Sequence, residues 1–158
     1  MATKQIRFQD LPALVGQEVG VSGWYLVTQH AVDAYAAATD DHQWICEDVE
    51  RAKRESPFGG TVAPGYFILA LVPGLLKKVW YLQGARLGMN YGINRMRFPA
   101  PLLIGKRVRL RVSVHSVKPV QNEQDGQEVA LTLSFEVEDG EKPVCVVETV
   151  YRYLGDIG

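Results

Sequence analysis

Apolar and polar residues alternate with period two over two stretches of the C-terminal half. Val108, Leu110, Val112 and Val114 are separated by Arg109, Arg111 and Ser113, and Val129, Leu131, Leu133, Phe135 and Val137 alternate with Thr132, Ser134 and Glu136. Successive strand side chains point to opposite faces, so each stretch predicts a strand with one buried and one wet face. The polar run Gln121–Gly126 between them predicts a hairpin loop. A turn around Gly140 and a final strand over Val144–Tyr153 complete that half. Upstream, Leu87–Phe98 predicts a strand ended by Pro99-Ala100-Pro101, and residues 18–27, rich in β-branched and aromatic types, predict a first strand.

Helical signals occupy the middle. Thr28 can cap a helix over about residues 30–39, which puts Val32, Tyr35 and Ala36 on one face and ends at Thr39-Asp40-Asp41. Asp48 caps a short charged helix, Val49–Glu55, that stops before Pro57. The segment Gly65–Leu82 is different: Tyr66 to Val72 leaves no polar face for two turns. A helix apolar all round must be buried all round, so something has to wrap it. Pro73-Gly74 predicts a kink or an interruption, and Lys77 and Lys78 bring the later part to solvent. One long buried helix and about five antiparallel strands, four of them consecutive at the end, make an α+β fold: an antiparallel sheet curled around the helix.

At 158 residues the chain fits one domain spanning 1–158, with 47% hydrophobic and 22% charged residues. A net charge of −1 gives no electrostatic case for nucleic acid or an anionic membrane. Arg107, Arg109 and Arg111 alternate with apolar residues and read as an exposed strand face. Two cysteines, Cys46 and Cys145, are too few for a disulfide scaffold, and no cysteine or histidine has metal-ligand spacing, so no metal is expected. The N-terminus lacks the apolar stretch of a signal peptide, and the longest apolar run, Tyr66–Pro73, is far short of the roughly 20 residues that span a bilayer. A cytoplasmic protein is expected.

Two motifs carry the chemistry: Ala37-Ala38-Thr39-Asp40-Asp41-His42-Gln43-Trp44-Ile45-Cys46 and Phe58-Gly59-Gly60-Thr61-Val62-Ala63-Pro64-Gly65. They resemble the A-T-G-D-x-Q-W-I-H and F-G-G-x-x-A-H-G signatures of MaoC-like proteins, the hot-dog-fold family that includes (R)-specific enoyl-CoA hydratases, and in particular its nodulation-protein-N-like branch. Asn90 to Pro101 is similar to the family's N-Y-G-x-N-x-V-R-F-P-x-P segment, and Ile104-Gly105-Lys106-Arg107-Val108 to its V-G-x-x-V strand start. The likeness runs from about Phe8 to the last strand. It implies the hot-dog fold, no cofactor, and an acyl thioester of CoA or acyl-carrier protein as substrate. It further implies Asp41 as the carboxylate that holds water against the 2-enoyl double bond and Gly65 as the backbone donor to the thioester oxygen. Gly60, Ala63, Tyr66 and Asn90 are expected to contact substrate.

The chain departs from the signature at decisive places. Cys46 stands where the family carries its catalytic histidine, Pro64 where a histidine precedes the glycine, and Asp40 at a glycine position that can require positive φ. A thiol titrates near 8.5 and imidazole near 6.5, and a thiol has one acid/base atom against two ring nitrogens. Cys46 therefore does not inherit the histidine's role. His42 is expected to face solvent, and Gly59-Gly60 to form a tight turn, since no lysine or serine follows at phosphate-loop spacing. Three functions stay open: a hydratase or dehydratase homologue of weak or altered activity, a non-catalytic acyl-thioester-binding module or partner subunit, and a hot-dog thioesterase using a lone Asp41. A single sheet leaves one edge unpaired, so a symmetric homodimer is expected, with further assembly open.

Overall fold

The computed structural model describes residues 3–121 and 125–155. In chain order they form β1 (Lys4–Arg7), a 3₁₀ turn (Phe8–Leu14), β2 (Glu18–Val21), β3 (Tyr25–Leu26), α1 (Gln29–Thr39), α2 (Trp44–Glu47), α3 (Val49–Glu55), α4 (Gly65–Ala70) and α5 (Val72–Val79). β4 (Trp80–Gln83), β5 (Ala85–Arg97), β6 (Arg107–Pro119), β7 (Gly126–Val137) and β8 (Cys145–Gly155) follow. The predicted hairpin loop lies partly outside the described residues.

The main sheet runs β2-β6-β7-β8-β5, with β3 also paired to β6, and all its pairings are antiparallel. Along β6 and β7 buried residues alternate with more exposed ones. Val108, Leu110, Val112, Leu131, Leu133 and Phe135 are fully buried, while Arg107 pairs with Glu138, and Arg109 and Arg111 share Glu136 on the opposite face. Burying one such apolar side chain contributes about 1.5–3 kcal/mol, against about 0.2–1 for a cross-strand charge pair. The apolar alternation therefore decides which face turns inward, and the charged ladder decorates the other. The predicted first strand divides into β2 and β3 at Ser22-Gly23-Trp24.

Caps form as the sequence indicates. Ala31 N–H donates to Thr28 Oγ1 at 3.2 Å, and Arg51 N–H donates to Asp48 Oδ1 at 2.9 Å.

The central helix is interrupted near Pro73-Gly74 as expected, the break falling at Leu71, two residues before Pro73. Proline has no N–H, so the helix restarts and places Pro73 in the first turn of α5, where an amide needs no partner. The helix departs from expectation in its extent, since it does not reach Leu82. Trp80 and Leu82 are buried while Tyr81 and Gln83 are exposed, and this short strand pairs in parallel with β1 in a separate two-stranded sheet. Nor is the helix buried all round. Phe67, Ile68, Val72, Leu75 and Leu76 face the sheet, but Tyr66 is 65% exposed, and Ala70 and Pro73 also reach solvent. The sheet wraps one side and ends at β5, so the flank beside that edge stays uncovered.

Candidate active site

α1 stops at Asp40, which takes a left-handed conformation (φ 57°, ψ 24°). Aspartate tolerates this better than most residues, so it serves at the position where the signature carries glycine. Half-buried Asp41 follows, and Gln43 Nε2 donates to its Oδ1 at 2.8 Å. His42 turns the other way. Its Nδ1 lies 3.1 Å from Glu47, its Nε2 lies 3.8 Å from Asp40, and its ring is more than half exposed.

Cys46, on α2, is 3% exposed. Burial first, then the negative charges of Asp41 and Glu47, push its thiol above the ordinary value. Both causes disfavour thiolate, so the Cys46 thiol stays protonated at neutral pH. Cys145 is pushed up to about 11 by burial alone. Neither thiol is expected to react with iodoacetamide at pH 7 until the protein unfolds; fast native-state alkylation would contradict this. A raised thiol pKa also fixes a sign for stability. The unfolded chain loses these protons from about pH 8.5 while the folded chain keeps them, so stability falls from there toward pH 11. Urea midpoints at pH 8 and pH 10.5 check this.

Gln29 joins the two motifs. Its Nε2 donates to Cys46 O at 2.7 Å, and its Oε1 accepts from Thr61 Oγ1 at 2.8 Å. Val62 N–H donates to Ile45 O at 3.1 Å, and Ala63 N–H to Leu102 O at 2.8 Å. Gly60 lies half-buried at the start of this strap, after a turn in which Gly59 has φ 75° and donates to Ser56 O. The glycine pair is a turn, as expected.

Pro64 caps α4 in an extended conformation without displacing it, and Gly65 is the first helical residue. The amides of a first helical turn have no intrahelical partner and carry partial positive charge. Phe98 lies against Gly65, where a Cβ would sit 2.8 Å from the ring. Tyr66 and Asn90 meet across a cleft of about 440 Å³ between the central helices and β5–β8, with Leu69, Ile93 and Thr149 also in its wall. Asp41, Cys46, Gly60, Ala63 and Gly65 are not part of that wall. Asp41 and Cys46 thus form one group, Tyr66 and Asn90 another, with Gly60, Ala63 and Gly65 along the strap and helix start between α2 and the cleft. Sequence reasoning missed Gln43, Gln29 and Phe98. Gln43 stood in the motif beside Asp41, whereas no local pattern announces the long-range partners of Gln29 or Phe98.

The MaoC like domain family matches residues 10–134. The chain belongs to this family. It is 44% identical over 145 residues to 3-hydroxyacyl-thioester dehydratase Z of Mycobacterium tuberculosis, covering 92% of this chain and 94% of the relative. Nodulation protein N of Rhizobium leguminosarum bv. viciae is 42% identical over 108 residues, 68% of this chain and 67% of that protein. Among solved structures, the (R)-hydratase from A. caviae involved in PHA biosynthesis superposes with a TM-score of 0.68 over 87% of this chain and 94% of its own, at 21% identity. The sheet curled around a central helix is therefore the hot-dog fold, in a MaoC-like chain. No helix among the described residues is long and apolar enough to cross a membrane.

Proposed function

We propose that this MaoC-like chain binds an acyl thioester of CoA or acyl-carrier protein and hydrates its 2-enoyl form, or dehydrates the 3-hydroxyacyl form, slowly. Support comes from Asp41 held by Gln43 next to a buried Cys46, on a segment tied to the strap that leads to Gly65. In this scheme Asp41 takes a proton from the water whose oxygen adds to C3. The electrons of the double bond move toward the thioester oxygen, held by the Gly65 N–H, and the proton returns to C2 as the enolate collapses. A backbone donor placed where charge develops stabilises the transition state selectively. The reaction needs only water and substrate, with no cofactor. Cys46 holds its own proton and offers no second acid/base group, which makes the reaction slow.

A second reading is a non-catalytic thioester-binding module, favoured by that same protonated thiol. Crotonyl-CoA separates these and the thioesterase alternative in one assay. Loss of enoyl absorbance without free thiol supports hydration; release of free thiol means hydrolysis; binding without turnover means a binding module.

The proposal includes a second copy of the chain. β5 pairs on one side with β8 and, among the described residues, with no strand on the other. Along it Leu87, Met89, Tyr91 and Ile93 are each more than two-fifths exposed. A long apolar edge invites pairing, and joining two β5 edges about a two-fold axis protects both. Sedimentation at micromolar concentration is expected to show a dimer or a multiple of it; a monomer contradicts this.

A further inference from the structure

From the cleft wall we infer that the acyl chain this protein prefers carries an oxygen atom beyond its reacting carbons, and that Thr149 recognises that oxygen. The inference rests on the thioester reading above and adds the class of chain.

The helix-facing positions of β8 are Cys145, Val147, Thr149, Tyr151 and Tyr153, opposite Phe135, Leu133, Leu131 and Val129 of β7 in unbroken register for the first four. The first two are apolar like the rest of that face, and the next three all carry hydroxyls. This strip coincides with the cleft. The 440 Å³ stretch includes Thr149 and Tyr151, and a neighbouring stretch of about 430 Å³, lined by Leu76, Trp80, Tyr151 and Tyr153, shares Pro73, Asn90 and Tyr151 with it. Together they follow the central helices from Tyr66 to Leu76, roughly 15 Å at 1.5 Å per residue, starting one residue beyond Gly65. Leu69, Val72, Pro73 and Ile93 supply carbon-lined walls. A thioester held at Gly65 would thus lay its chain past the hydroxyl strip.

Thr149 is the member that needs explaining. It is 6% exposed, and its Oγ1 is buried without a hydrogen-bond partner among the described residues. Nearly all buried polar groups are paired, because leaving one unpaired is destabilising. A threonine in a strand cannot return its hydroxyl to the preceding turn as it would in a helix. Valine would fill the same space without that penalty. Thr149 is part of the cleft wall, and a single staggered step of χ1 would carry Oγ1 to the place its methyl group now holds. Burial raises the Tyr151 and Tyr153 phenols above their ordinary range, and their rings stack at 5.7 Å, so they line the same wall as neutral hydroxyl-bearing groups. A hydroxyl, keto or ether oxygen on the chain would complete the set.

Calorimetric titration of the full-length protein tests this with trans-2-octenoyl-CoA and analogues in which one methylene beyond C4 is replaced by oxygen at successive positions. At one position the oxygenated chain is expected to bind at least as tightly as the all-carbon chain. Thr149→Val then weakens that analogue about tenfold, equivalent to ~1.4 kcal/mol, leaves the all-carbon chain within about twofold, and raises the melting temperature of the free protein. Thr149→Ser restores the preference. Tighter binding of the all-carbon chain at every position, or an equal effect of Thr149→Val on both ligand types, overturns the inference and leaves the thioester reading standing. Failure of every thioester to bind overturns both.

Discussion

Cys46→His is expected to raise crotonyl-CoA hydration by about 10²–10⁴, the contribution of one positioned acid/base group, or ~3–5.5 kcal/mol of barrier. The neighbouring charges explain why the two side chains behave oppositely. Asp41 and Glu47 push the thiol away from thiolate. The same charges stabilise an imidazolium, because histidine is cationic when protonated. The substitution therefore turns a silent site into a titrating one. Cys46 is buried, so the larger ring must be accommodated, and overpacking costs about 1–3 kcal/mol; a lower melting temperature should accompany the gain. Asp41→Asn in the Cys46→His background should abolish the gain, because groups that act on one water are non-additive. Pro64→His should add less than Cys46→His, since α4 already starts at Gly65 with Pro64 as its cap. Steady-state rates of the wild type and these variants check each step.

Gly65→Ala should remove most of the activity of the Cys46→His protein, about 10²–10³-fold, the loss seen when one oxyanion donor is taken away. The cause is steric. Gly65 is not among the residues with positive φ, so alanine fits the backbone, but its Cβ would meet the Phe98 ring at 2.8 Å. Either the ring or the helix start has to move, and the Gly65 amide moves with the latter. Phe98→Ala in the Gly65→Ala background opens that space and should return activity toward the Cys46→His level. Rates of the Cys46→His protein carrying one or both changes test this; a Gly65→Ala variant as active as its parent removes the amide from the mechanism.

Much of the fold was legible because it rests on local rules. Alternation over Val108–Val114 and Val129–Val137 located β6 and β7, and a hydroxyl or carboxylate at Thr28 and Asp48 located two helix starts. The central helix was misread for tertiary reasons. Pro73 made a break inevitable, but only packing decides whether the helix bends there or restarts at Leu71. Trp80–Gln83 alternates with period two, yet so short a run becomes a strand only when β1 lies beside it. The exposure of Tyr66 was hidden too, since the reach of the sheet is not encoded near residue 66. At the candidate site, the family signature named Asp41, Cys46 and Gly65, while the clamp by Gln29 spans 17 residues to Cys46 and 32 to Thr61 and leaves no local trace. Thr149 was read as one more residue of a final strand, because an unpaired hydroxyl becomes visible only when its surroundings are known.

The slow turnover expected of the wild type makes the central claim open to direct observation, since an enoyl thioester should survive in the site long enough to be seen. That claim is that the substrate carbonyl meets the Gly65 amide while Asp41 faces C3. A crystal structure of the wild-type protein with crotonyl-CoA is predicted to place the thioester oxygen about 2.7–3.1 Å from Gly65 N, with a water between Asp41 and C3. A thioester seated away from Gly65, with Asp41 out of reach of its C3 even through one water, would contradict it.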